Sequence, residues 1–299
     1  QQNSSKKPYI SIQIKTTYSF RMVRRDVRAL LAVVIGVFWS ASLYAQDRSL
    51  TLTEIWNGQS TPAGLQSIRS LPDGGHFTIL EKNAAVNAME INKYDYASGR
   101  KTGVIFSSSN YPELTGIFDY ELSPDEQKLL IKTQRRAQYR HSYFAQHFLY
   151  DLIDKTLVKI EGPDLQEVTF SPDGKYLAFV RSNNLYYWII SEQKRVQVTQ
   201  DGRQNHIING LTDWVYEEEF GFVQAYQWSR DSDYLAYLRF DESEVAEFSM
   251  DVYGQDLYPT QSVFKYPKAG EKNAQVSLHI HQLNKGSTSD IDLTQWPYE

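Results

Sequence analysis

Apolar positions in this chain come in short runs broken by Pro, Asp, Gly and Ser, a pattern of strands and tight turns rather than of helices. One turn recurs. Ser70-Leu71-Pro72-Asp73-Gly74, Leu122-Ser123-Pro124-Asp125-Glu126, Phe170-Ser171-Pro172-Asp173-Gly174 and Trp228-Ser229-Arg230-Asp231-Ser232 precede the apolar runs HFTIL, KLLIK, YLAFV and YLAYL. Proline presets such a turn, while Asp and Gly supply its remaining backbone conformations. Each unit therefore reads as strand, turn, strand.

From Pro72 to Pro124, Pro172 and Arg230 the spacings are 52, 48 and 58 residues. The stretch Gln166 to Val180 gives one hairpin. Asn184 to Ile190 (NLYYWII), a Ser-Glu-Gln-Lys turn and RVQVTQ give a second. Four short strands per period is the size of a β-propeller blade. A β-sandwich also has many short strands, but it does not repeat one turn at this period. The expected fold is all-β, a partial β-propeller over 65–299 with about four to five blades. Propellers close last blade on first, so the chain is expected to stop mid-protein at Trp296-Pro297-Tyr298-Glu299.

Composition agrees. Hydrophobic residues make up 41% and aromatics 14%, enough for a substantial core, and the 21 tyrosines and 14 phenylalanines suit half-buried pleated surfaces. Cysteine is absent, which excludes disulfides, thiolate metal sites and a cysteine nucleophile, and fits a bacterial envelope protein.

Residues 22–45 have a basic start (Arg24, Arg25, Arg28), an apolar run from Ala29 to Trp39 and small residues ending at Ala45. This is the layout of a cleaved signal peptide, with an uncleaved anchor as the alternative. Residues 1–21, ahead of Met22, are expected to be upstream sequence outside the fold, and 46–64 a connecting segment. Cleavage after Ala45 leaves 24 Lys and Arg against 35 Asp and Glu, a net charge of −11. Such a surface repels nucleic acid. The expected location is the periplasm or cell surface, with no membrane contact once the signal is cleaved.

The segment 211–219, LTDWVYEEE, interrupts the strand rhythm. From charge alone, Glu217, Glu218 and Glu219 read as a solvated acidic turn. The sharper reading is a short helical turn aiming adjacent carboxylates into an aromatic-walled cavity. Neighbouring carboxylates repel until a cation joins them, and a protonated peptide amine is such a cation.

Asp213-Trp214-Val215-Tyr216-Glu217-Glu218-Glu219 resembles the double-glutamate motif of the dipeptidyl peptidase IV family of serine peptidases. Tyr139-Arg140-His141-Ser142-Tyr143 resembles the family's arginine segment. Phe240 to Val245 and Tyr266-Pro267-Lys268-Ala269-Gly270 follow in the family's order. The resemblance implies an eight-bladed propeller capping an α/β-hydrolase domain, and release of N-terminal dipeptides with proline or alanine second. It also implies that Glu218 and Glu219 hold the substrate amine, that Arg140 contacts its first carbonyl and orients the glutamates, and that Glu217 is structural. The expected partners are peptides with a free N-terminus and, for the full-length protein, a second copy docked through Ser249 to Tyr266.

None of the 16 glycines begins a Gly-x-Ser-x-Gly elbow. The catalytic triad is therefore expected beyond Glu299, in a hydrolase domain this chain lacks, and the fragment alone should be inactive. No cofactor is expected. His279 and His281 share a strand face without an apparent third metal ligand, and His76, His141, His147 and His206 lack catalytic spacing. Two alternatives stay open: a prolyl tripeptidyl peptidase on the same scaffold, and a non-enzymatic propeller of the cell envelope.

Overall fold

A computed structural model describes residues 50–59, 61 and 68–295. The expected upstream segment, the signal peptide and the last four residues lie outside that range. Contacts divide the chain into a unit of residues 1–64 and a unit of residues 65–299. The first holds a short helix, Leu52–Trp56, with a capping box: Thr51 Oγ1 accepts the Glu54 N–H at 3.2 Å, and the Glu54 carboxylate accepts the Thr51 N–H at 3.0 Å.

The second unit is built of antiparallel sheets that follow the predicted repeat. The first blade comprises Arg69–Ser70, His76–Asn83, Ala88–Asp95 and Lys101–Ser107, paired in chain order. The second comprises Ile117–Leu122, Lys128–Ala137, Tyr143–Asp151 and Leu157–Lys159. The third comprises Gln166–Phe170, Tyr176–Arg181, Asn184–Ile189 and Lys194–Gln197. In the fourth, Tyr234–Asp241, Gln275–Gln282 and Ser287–Ile291 are consecutive neighbours, and two short segments, Ile207–Asn209 and Tyr226–Trp228, together line the inner edge. The described residues thus hold four blades of an all-β propeller.

The recurrent turn is a self-contained hydrogen-bond unit. In the third blade Ser171 Oγ donates to Asp173 Oδ1 at 2.7 Å, and Asp173 Oδ1 accepts the Lys175 N–H at 3.1 Å. Ser171 Oγ in turn accepts the Tyr176 N–H at 3.0 Å. The same bonds form around Ser123 with Asp125 and around Ser229 with Asp231. The residue after Asp lies in the left-handed region in all four turns: Gly74, Glu126, Gly174 and Ser232. Glycine adopts it freely, whereas the side chains of Glu126 and Ser232 make it cost roughly 1–2 kcal/mol. The local bonds offset that cost, so the turn survives without glycine.

Successive blades are joined by apolar layers. Ile91, Phe106, Tyr120, Leu129, Ile131 and Phe148 fill the space between the first two blades. Leu130, Leu149, Leu165, Phe179 and Trp188 fill the next, and Ala178, Leu185, Tyr226, Trp228 and Leu235 the last. Alternate residues of the strands therefore face opposite blades, and the second and third sheets are buried on both faces.

One irregularity in the fourth blade positions the site. At Gly210 the inner strand leaves the sheet, and at Ala225 it resumes. Gly210 N–H donates to Leu238 O at 3.0 Å, Leu238 N–H to Ala225 O at 2.8 Å, and Ala225 N–H to Gly210 O at 2.9 Å. Exit and re-entry therefore face a single residue of the neighbouring strand. Gly210 has φ +77°, and a Cβ there would come within 3.1 Å of Val180 and 3.3 Å of Leu185. Only glycine fits both the turn and the packing. The insert extends the last spacing of the repeat.

Candidate functional site

The 211–224 insert closes its own neck. Thr212 N–H donates to Val223 O, and its hydroxyl donates to Phe222 O, both at 3.0 Å. Between them runs a helix, Trp214–Phe220, capped by Asp213, whose carboxylate accepts the Tyr216 N–H at 3.0 Å, and ended by Gly221 at φ +72°. Tyr216 seats the helix edge-on against Phe240 of the fourth blade, with ring centroids 4.9 Å apart. Glu218 and Glu219 fall in the last turn, which holds no basic residue. Exposed carbonyls there add to the negative potential of the carboxylates.

Arg140 sits on the loop joining two strands of the second blade. That loop is tied to the helix by Glu217, whose Oε1 accepts the N–H groups of His141 and Ser142, each at 2.8 Å. Glu217 is 1% exposed. A buried carboxylate needs such donors, and here the donors are the loop's own backbone. Glu217 thus pins the loop to the helix, in keeping with the structural role implied for it.

With the loop pinned, Arg140 Nε lies 3.0 Å from Glu218 Oε2; the Glu218 side chain is 12% exposed and that of Arg140 73%. Glu219 follows on the exposed side of the helix. It borders a hollow of about 240 Å³ with Trp214, Tyr266, Pro267 and Lys268. Among the described residues no ion pair joins Glu219 to Arg140. The structure therefore brings Arg140 and Glu218 into contact and leaves the adjacent carboxylate of Glu219 open.

A larger cavity, of about 570 Å³, lies on the other side of the helix. Tyr139, Ser142, Asp213, Glu217, Glu242 and Phe264 are among its walls, whereas Arg140, Glu218 and Glu219 are not. Burial raises the Asp213 carboxyl above its ordinary range, against the pull of its backbone donors. Burial also pushes Glu242 up to about 7, with the charges of Asp213 and Asp241 adding and Lys265 opposing. Tyr139 is raised to about 12 by burial and by Glu242, Glu217 and Asp213. Nothing local in the sequence set Glu242 apart, because its shift comes first from burial in the folded chain and then from Asp213, an acid 29 residues away.

The position of Glu242 gives a pH dependence. Its carboxyl binds a proton more tightly folded than unfolded, so its contribution to stability is full below pH 4.5 and declines as pH rises to about 7. Glu242→Gln in the full-length protein should remove this decline, on the order of 2–3 kcal/mol. Denaturant midpoints of the two proteins at pH 5 and pH 8 measure it; parallel pH dependences would refute it.

The two histidines of the fourth blade make ordinary strand contacts. His279 Nδ1 lies 2.7 Å from Asp290, its ring stacks on Tyr237, and His281 Nδ1 lies 3.0 Å from Thr288 Oγ1. Among the described residues no group of three His, Cys, Asp or Glu side chains is placed to hold a metal, and no helix is long and apolar enough to cross a membrane.

These features define a propeller domain in which an acidic helix carried by the fourth blade meets an arginine loop of the second. The family profile "Dipeptidyl peptidase IV (DPP IV) N-terminal region" matches residues 123–297, and the chain belongs to that family, in its N-terminal region. It is 37% identical to dipeptidyl peptidase 4 of Trichophyton tonsurans over 191 residues, 61% of this chain and 24% of the relative. Against dipeptidyl aminopeptidase B of Saccharomyces cerevisiae the identity is 39% over 171 residues, 56% of this chain and 21% of the relative. The crystal structure of Porphyromonas gingivalis dipeptidyl peptidase 4 superposes with a TM-score of 0.75 and 40% identity, covering 83% of this chain and 35% of that one. The chain thus spans about a quarter of the length of the curated relatives it matches.

Proposed function

We propose that this chain is the substrate-gating and amine-anchoring propeller of an exported serine dipeptidyl peptidase. Glu218 and Glu219 receive the protonated N-terminus of a peptide, and Arg140 orients Glu218 and meets the first carbonyl. The full-length protein then releases dipeptides with proline or alanine second. One observation carries this reading: the Arg140–Glu218 contact at 3.0 Å, beside an open carboxylate on the same helical turn.

The chemistry suits the task. A peptide α-amino group has a pKa near 7.7–8.0 and is mostly charged at neutral pH. Its donors reach two carboxylates, and each charge-assisted hydrogen bond contributes roughly 1.5–3 kcal/mol. Holding the amine fixes how far the chain enters, which sets the length of the product. The guanidinium of Arg140 has donors beyond Nε to offer a carbonyl.

The test compares a free-amine Xaa-Pro substrate with its N-acetyl analogue on the full-length protein. The free amine should be cleaved at least about 100-fold faster, the loss expected from two such bonds. Mass spectrometry should show a dipeptide product. Equal rates refute amine anchoring, and a tripeptide product moves the protein to the tripeptidyl class.

The hairpin of Glu247–Val252 and Thr260–Lys265 overlaps the segment Ser249 to Tyr266 expected to reach a second copy, and its tip exposes Tyr253, Leu257 and Tyr258. A homodimer through this tip belongs to the proposal; sedimentation of the same preparation at the mass of one chain would remove it. The basic and apolar segment 22–45 supports export to the periplasm or cell surface.

A further inference from the structure

The two arms of the site belong to different blades. Arg140 rides on the loop of the second blade and Glu218 on the insert of the fourth, so their spacing depends on what lies between them. Their own ion pair is too exposed on the arginine side to fix it. Glu217 ties the loop backbone to the helix through a single carboxylate oxygen, one point of attachment.

A third element meets both arms. Phe264, on the returning strand of the hairpin, lies 6.2 Å from the ring of Tyr139 and 6.3 Å from that of Trp214. Tyr139 immediately precedes Arg140. Trp214 is four residues before Glu218, on the same helical face. Tyr266 meets Trp214 at 4.8 Å, and Phe248, opposite Phe264 in the hairpin, backs both rings at 5.9 and 5.6 Å. All these separations fall in the range of attractive ring contacts.

The hairpin is itself anchored at its base. Lys265 Nζ donates to Val245 O at 2.8 Å, and Tyr266 N–H donates to Ala246 O at 2.9 Å. The Lys265 side chain is only 9% exposed. The ring of Phe264 therefore projects from a fixed base rather than from a swinging arm.

We propose that Phe264 is a positioning residue of the amine site, a ring wedged between Tyr139 and Trp214 that sets the separation of Arg140 from Glu218. This rests on the function proposed above. Phe264 does not touch substrate; it acts through the two aromatic neighbours of the groups that do.

The test uses full-length protein and a free-amine Xaa-Pro substrate. Phe264→Leu keeps apolar bulk in the hairpin but removes the ring. It should raise KM about ten-fold, the effect of losing two ring contacts, with kcat within about two-fold. Phe264→Tyr, which restores the ring, should return KM close to the original value. An unchanged KM in Phe264→Leu, or a Tyr variant no better than the Leu variant, overturns the proposal. Glu218→Gln is measured alongside. If it leaves KM and kcat unaltered, the amine site itself is wrong; if it impairs the enzyme while Phe264→Leu does not, only the role of Phe264 fails.

Discussion

Replacing Glu218 with glutamine in the full-length protein should lower kcat/KM for free-amine dipeptide substrates by about two to three orders of magnitude. The amide keeps the size of the side chain and removes its charge. Two losses combine. The substrate ammonium loses an ionised acceptor, roughly 1.5–3 kcal/mol, and the guanidinium of Arg140, 3.0 Å from the Glu218 carboxylate, is left unneutralised beside the amine. Glu219→Gln should cost less, because Arg140 keeps its partner. Steady-state kinetics on a free-amine Xaa-Pro substrate measures both. Wild-type kinetics in Glu218→Gln would remove this residue from the site.

Glu217→Ala should act through the loop rather than through the substrate. The carboxylate satisfies two backbone N–H groups; deleting it leaves that of buried Ser142 unpaired at about 1–3 kcal/mol and removes the bond to exposed His141, worth about 1 kcal/mol. A destabilisation of about 3 kcal/mol is expected, together with rapid hydrogen exchange at the amides of His141 and Ser142. The loop would then no longer present Arg140 to the helix, and KM should rise as well. Exchange at those two amides as slow as in the wild type would show that something else holds the loop.

The features legible in the sequence are those written in consecutive residues. The Ser-Pro-Asp-Gly turns could be read because the bonds that shape them close within six residues, as at Ser171, Asp173 and Tyr176. For the same reason the fourth turn was recognisable despite Arg230 and Ser232: it kept the Ser229 and Asp231 that make the bonds. The interruption at 211–219 was also visible, since Asp213 is a good helix cap and three glutamates cannot continue an apolar strand. What stayed hidden is which distant faces meet. The anchoring of His141 and Ser142 by Glu217 and the contacts of Phe264 with Tyr139 and Trp214 link far separated parts of the chain. Each of those residues has an ordinary local setting, so periodicity and turn chemistry carry no trace of the meeting. The two-segment inner strand of the fourth blade was unreadable for a related reason, since its halves become one strand only when aligned on Tyr234–Asp241.

The junction at Gly210 and Ala225 lets the excursion and the strand pairing change independently. Because the chain departs and returns opposite Leu238, the strand pairing beneath does not depend on the length of what is carried between those points. Residues 211–224 could thus be longer or shorter in a relative while the blade that bears them keeps its pairing, as long as Leu211 and Tyr216 keep their seats on the sheet.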